Sequence, residues 1–284
     1  MTSPAAPYGG DMTVPTIELN NGVTIPQLGF GVFQVPPEDT EAVTAQALAT
    51  GYRHIDTARA YRNEVGVGRA IAASSLDRDD VFVTTKLWNN RQGHDSALEA
   101  FDSSLRRLGL DVLDLYLIHW PAPQQDLYVE TWQAFEELQA GGRVRSIGVS
   151  NFRIEDLKRL LDLGLSVPVV NQIELHPYLT QDELRTFHAE HQIVTEAWSP
   201  LAQGGVLGDP VITELADAKD ATPAQIVLAW HLALGNIVIP KSVTPARIAE
   251  NFASTEVKLG NDEVDAITAL NRNERTGFDP SEFG

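Results

Sequence analysis

Cysteine is missing from all 284 positions of the chain. That excludes a disulfide framework, a thiolate nucleophile and any thiolate metal site. Basic residues are also scarce: 21 Lys and Arg stand against 39 Asp and Glu, for a formal net charge of −18. Such a surface repels nucleic acid and anionic membranes, so neither is an expected partner. A phosphate-bearing ligand would need cations gathered locally. No run of eighteen apolar residues occurs, which argues against a transmembrane helix. Residues 1–13 lack the basic start and apolar core of a signal peptide. The expectation is a cytoplasmic protein with a flexible leader over 1–13 and one domain over 14–284. No GxGxxG follows a first strand, since Gly29-Phe30-Gly31 does not fit that spacing, and an open dinucleotide-binding sheet is unsupported.

What the chain does have is a beat. The apolar runs Tyr52–Ile55, Val81–Thr85 and Asp111–Ile118 close on Asp56, Lys86 and His119, about thirty residues apart, the length of one strand plus one helix. From Leu28 onwards eight strand candidates recur: 28–32, 53–56, 81–86, 113–119, 145–150, 167–172, 193–197 and 237–240. Eight such units predict a (β/α)8 TIM barrel whose site lies at the carboxyl rim of its strands. Parallel neighbours would bring Asp56, Lys86 and His119 onto that rim. Ahead of the barrel, Asn20-Asn21-Gly22 between two short apolar runs reads as a β-hairpin suited to plugging one end. Expected caps are Asp39, Asn63, the box Thr180 to Glu183, Asp209-Pro210 and Thr222-Pro223. Two extra helices, opened by Thr244-Pro245 and Asn261, follow the last strand. A tail from Thr276 then folds over the rim, short enough to leave an open pocket.

A lysine closing an apolar strand is costly unless paired, and Asp56 sits one strand over. With Tyr61 in the intervening loop, the set Asp56, Tyr61, Lys86 and His119 resembles that of the aldo-keto reductases. The resemblance is carried by GYRHIDTARAYRNEVGVG at 51–68, TTKLW around Lys86, LDLYLIHWP at 113–121, VSNF at 149–152, NQIELHP at 171–177 and IPKSV at 239–243. It runs from about Thr13 to the C-terminus, nearest in spacing to the bacterial 2,5-diketo-D-gluconate reductase branch. It implies NADPH-dependent reduction of aldehydes or ketones, among them dicarbonyls, keto sugars and keto acids, by direct hydride transfer. Tyr61 would be the general acid, its proton loosened by Lys86, which Asp56 balances, while His119 would orient the carbonyl oxygen.

The same resemblance assigns Ser150, Asn151 and Gln172 to the carboxamide of the nicotinamide and Trp198 to its ring. Ser199, Leu201 and Gln203 would follow the pyrophosphate. Lys241, Ser242, Val243 and Arg247 would grip a 2′-phosphate, with Glu250 and Asn251 at the adenine. Two cations beside a short helix's N-terminus make an anion site in an otherwise acidic chain, which favours NADPH over NADH. Phe33, Trp88 and Trp120 match the aromatic walls of the family's pocket. Arg59 and Arg62 stand where relatives commonly carry small residues, by the mouth. No metal is expected. His54 should be packed, and His188 and His191 should lie on a solvated helix face. Two rivals are a nicotinamide-binding regulatory protein on the same fold and a metal-dependent hydrolase using His119, His176 and Asp56. The acidic surface, with no obvious apolar patch, favours a monomer.

Overall fold

In the computed structural model, which describes residues 14–283, two short strands, β1 (Thr16–Glu18) and β2 (Thr24–Pro26), form the antiparallel hairpin. The proposed leader over 1–13 and Gly284 lie outside the described residues. Gly22 turns the hairpin at a φ of 81°, where a side chain would be strained. The side chain of Asn20 donates to the carbonyls of Pro168 and Gln192, and that of Asn21 to the carbonyl of Arg145. All three acceptors lie at the amino ends of barrel strands. Leu19 and Ile25 are buried against Leu115, Leu117, Val169 and Ile237. The hairpin therefore stoppers the end opposite the strand carboxyl ends, as expected of a plug.

Eight parallel strands follow: β3 (Phe30–Gly31), β4 (His54–Asp56), β5 (Phe82–Leu87), β6 (Leu113–Ile118), β7 (Val144–Ser150), β8 (Val170–Glu174), β9 (Val194–Trp198) and β10 (Ile237–Val238). Each pairs with its sequence neighbour. The circle closes through Gly29 N to Val238 O at 2.9 Å, Val238 N to Gln27 O at 2.8 Å and Gly31 N to Pro240 O at 3.0 Å. Closure leaves no exposed sheet edge. Strands buried on both faces read as unbroken apolar runs rather than alternating ones, which is why the β5 and β6 segments were legible.

Around the barrel stand α1 (Pro37–Thr50), α2 (Glu64–Ala73), α3 (His94–Leu108), α4 (Tyr128–Ala140), α5 (Ile154–Asp162), α6 (Asp182–Glu190), α7 (Pro210–Lys219) and α8 (Pro223–Ala233). Helices α9 (Pro245–Phe252) and α10 (Asn261–Thr268) are the two additions. On α3, Phe101, Leu105 and Leu108 are buried as their spacing demands. Asp209 caps α7 by accepting from Val211 N, and Thr222 with Gln225 forms a full capping box on α8.

Three expected caps are not made. Pro36, not Asp39, precedes α1. Asn63 precedes α2, but its side chain is taken by Thr57 and by the carbonyl of Val32 at 2.8 Å. Gln181, in a left-handed turn, precedes α6, and Thr180 bonds to the side chain of Asp182. In the Asn63 case a long-range partner outcompetes the local bond. His188 is likewise buried rather than solvated, bonded to Asn171 and Thr195. His54 is packed as expected, against Phe82 and Thr84.

Candidate active site

The strand register delivers its chemistry at the carboxyl rim. Asp56 ends β4, Lys86 lies one residue before the end of β5, and His119 follows β6 directly, its N–H bonded to Leu87 O. Lys86 is wholly buried, and its ammonium reaches both oxygens of Asp56 at 2.6 and 2.7 Å and the carbonyl of Thr57 at 3.1 Å. Asp56 also accepts from Gln172 Nε2 at 2.8 Å. Burial works against the Lys86 charge, but the charge of Asp56 and its hydrogen bonds outweigh it and the pKa is raised.

Tyr61 stands on a single 3-10 turn, Arg59–Tyr61, ended by Arg62 at a φ of 60°. The Lys86 nitrogen lies 5.3 Å from the centre of its ring, and the rings of Phe33 and His119 lie 5.0 and 5.7 Å away. The residue is partly exposed, and burial raises its pKa above the ordinary phenol value. Lys86 pulls it down, as the sequence suggested, while Asp56 and Glu196 oppose that pull. Burial outweighs that pull, and the phenol holds its proton at neutral pH. His119 is depressed well below the usual histidine value by burial and by Lys86, so it is a neutral imidazole. Its Nδ1 is enclosed and without a partner among the described residues.

The strands β7 to β9 contribute a tied chain of amides. Trp198 Nε1 donates to Asn151 Oδ1 at 2.9 Å; Asn151 Nδ2 donates to His119 O at 3.0 Å and to Ser150 Oγ at 3.1 Å. Ser150 Oγ then donates to the carbonyl of Gln172 at 2.8 Å. Gln172 Nε2, besides Asp56, also donates to Glu196 Oε1. The chain fixes these side chains along one wall before any ligand arrives.

All four residues of the tetrad except Lys86 line one cleft of about 1,820 Å³; Lys86 lies beneath it, against Asp56 and Tyr61. So do Ser150, Asn151, Gln172, Trp198, Ser199, Leu201 and Gln203, and at the far end Lys241, Ser242, Val243, Arg247, Glu250 and Asn251. Small-ligand pockets run to about 1,000 Å³, so this cleft has room for more than a small carbonyl. Lys241 and Arg247 are exposed and make no ion pair among the described residues, although acidic side chains are in large excess. Glu250 accepts from Thr222, another residue of the cleft lining, at 2.8 Å.

Phe33, Trp88 and Trp120 wall the opposite end, where the C-terminal tail packs against the two tryptophans. Phe283 packs 4.6 Å from Trp120 and 6.1 Å from Trp88, and stacks on Phe278. Glu174, at the end of β8 and fully buried, holds this tail down. It accepts from Thr276 N and Thr276 Oγ1, both at 2.6 Å, from Gly277 N at 3.1 Å and from Arg275 at 3.3 Å. Burial alone would raise the Glu174 pKa, but the bonds from His176 and Thr276 outweigh it and the group is lowered. A side chain at Gly277 would meet Trp198 at 2.4 Å, so the tail seats only on glycine.

Sequence reasoning missed Glu174, Glu196, Phe278 and Phe283. For the glutamates the signal was present: each is a lone carboxylate inside a strand buried on both faces. The phenylalanines had none, because the tail has no periodicity. His176 does not join His119 in a metal site, since its Nε2 is spent on Glu174. Among the described residues no group of three or more His, Cys, Asp or Glu could hold a metal.

Comparison with known proteins agrees with this geometry. The sequence pattern of the Aldo/keto reductase family matches residues 27–272. An aldo-keto reductase of Mycolicibacterium smegmatis is 56% identical over 269 residues, covering 95% of this chain and 98% of that one. Methylglyoxal reductase DkgA of Escherichia coli K12 is 51% identical over 276 residues, covering 96% of this chain and all of the relative. The crystal structure of a mutant of Gox0644 in complex with NADPH superposes with a TM-score of 0.92 at 49% identity, over 96% of this chain and 99% of the other. Matched along nearly its whole length in both sequence and fold, the chain belongs to the aldo/keto reductase family.

Proposed function

We propose that this protein reduces small aldehydes and ketones, with dicarbonyls, keto sugars and keto acids as the substrate class, using NADPH. The observation that carries the reading is the buried Lys86–Asp56 pair set beneath Tyr61 and His119, at one end of a cleft whose other end gathers two unpaired cations. Methylglyoxal reductase relatives support the small dicarbonyls.

The residues present suit the cofactor. Lys241 and Arg247 supply charge for a 2′-phosphate beside the first turn of α9, where backbone N–H groups are free. Ser242 and Val243 would join them at the 2′-phosphate, Glu250 and Asn251 would lie at the adenine, Ser199, Leu201 and Gln203 along the pyrophosphate, and Ser150, Asn151, Gln172 and Trp198 at the nicotinamide. When bound, NADPH supplies the hydride. Tyr61 gives its phenolic proton to the carbonyl oxygen, and Lys86, held charged by Asp56, stabilises the phenolate that remains. His119, neutral, offers an N–H to the same oxygen. Phe33, Trp88 and Trp120 exclude water from the reacting carbon. No residue in this scheme requires a metal. The single closed barrel supports reading 14–284 as one domain, and the acidic surface supports a monomer. No helix among the described residues is long and apolar enough to cross a membrane.

The test is consumption of NADPH with methylglyoxal and with a keto sugar acid. If the protein binds NADPH but consumes it with neither, the regulatory reading takes over. The cations are tested by Lys241→Ala and Arg247→Ala. Each is expected to weaken NADPH about tenfold or more, the worth of a charge-assisted hydrogen bond, while leaving NADH unchanged. Equal losses for both dinucleotides would remove the phosphate assignment.

A further inference from the structure

Glu196 lies in the middle of β9 with no surface exposed, directly between Gln172 on β8 and Ile237 on β10 in the sheet register. Glutamate is expensive in such a place unless its oxygens find donors. One does: Oε1 accepts from Gln172 Nε2, the same nitrogen that donates to Asp56. The other, Oε2, is enclosed and has no hydrogen-bond partner among the described residues. An ionised carboxylate oxygen left bare in a barrel interior is the least favourable arrangement available, and an unpartnered neutral O–H in its place costs far less. Asp56 already neutralises Lys86, so a second negative charge here would have no counter-ion of its own.

We propose that Glu196 is a positioning residue for the reduction: it is held as the neutral acid in the working enzyme, and through Gln172 it keeps the Asp56–Lys86 pair beneath Tyr61 at zero net charge. This rests on the reading of Tyr61 as the acid. The charged groups that act on Glu196 are Asp56 and Lys86, its own charge reaches Tyr61 at the rim, and Glu174 lies two positions beyond Gln172 on the adjacent strand. On the outer side, Thr195 is held by His188, and His231 faces the carbonyl of Pro200. Burial, then the Asp56 charge, raise the Glu196 pKa to about 8, against the opposing pull of Gln172 and Lys86. When it does ionise, its charge raises Tyr61 and makes that residue a weaker acid.

The test is the pH profile of kcat for NADPH-driven carbonyl reduction in the parent, Glu196→Gln and Tyr61→Phe. The expected parent profile falls as Glu196 ionises on the alkaline side. In Glu196→Gln, which cannot ionise, that falling limb moves up by about one pH unit or more, the usual effect of a neighbouring buried charge. A protein in which Glu196 only fills space would lose stability on substitution without moving the limb, so superimposable limbs overturn the proposal. The parent alone gives an independent check, should the variant not fold. Infrared spectra at neutral pH should show a buried protonated carboxyl that disappears in alkali, and its absence overturns the proposal equally. If Tyr61→Phe turns over as fast as the parent, it is the acid assignment that fails, and the infrared band still reports on Glu196 alone.

Discussion

Tyr61→Phe is expected to bind NADPH as the parent does and to lose turnover by about 10²- to 10⁴-fold, the range attributable to one positioned general acid. The substitution removes a single oxygen. The ring remains to pack on Phe33 and His119, and no fold-defining hydrogen bond runs through the hydroxyl among the described residues. Stability should therefore hold, and the loss should fall on the chemical step. Cofactor binding by fluorescence titration, followed by single-turnover reduction, separates the two. A variant within tenfold of the parent in single turnover would mean that another group delivers the proton, with His119 the first to examine.

The second large effect is on Lys86. Lys86→Met removes a buried cation and leaves Asp56 in the barrel mouth with Gln172 as its remaining side-chain partner. Breaking a buried ion pair from one side costs about 3–5 kcal/mol. Unfolding in urea should show that loss, and turnover should fall with it, because nothing then stabilises a phenolate at Tyr61. The pair itself need not be stabilising, since replacing both partners by apolar groups is often neutral. Asp56→Leu combined with Lys86→Met is accordingly expected to recover much of the stability and none of the activity. A single variant as stable as the parent would show that Asp56 does not need its lysine. A double variant that regains turnover would detach the pair from the chemistry.

The contrast between those two properties explains what could be read from the sequence. Asp56, Lys86 and His119 were legible because each interrupts a buried strand at one interval, and a polar residue in such a place has few structural excuses. The barrel was legible for the same reason, as eight apolar runs are a local pattern. The cap at Asn63 failed because the residues that claim it are set by tertiary structure, whereas Thr180 is displaced locally, by Gln181 in its left-handed turn and by its own bond to Asp182. His188 was misplaced because its partners Asn171 and Thr195 belong to two strands that a helical projection cannot show. The direction of the Tyr61 pKa depended on a balance between burial and three charges. Composition reveals the charges but not the enclosure. The tail phenylalanines at the aromatic end of the cleft were not legible for a simpler reason: the tail is short, but its anchor is a carboxylate on a strand far back in the chain.

That anchor has a consequence in time. Glu174 and the Thr276 groups it accepts from are separated by 102 residues. At a synthesis rate of ~5–20 residues per second, Thr276 is added roughly 5 to 20 s after Glu174. Throughout that interval the strand carrying Glu174 exists without the donors that will hold the tail, and Trp120 and Trp198 have no phenylalanine or glycine seated against them. A ribosome-bound chain of this protein can therefore have most of its barrel in place while its pocket still lacks a wall.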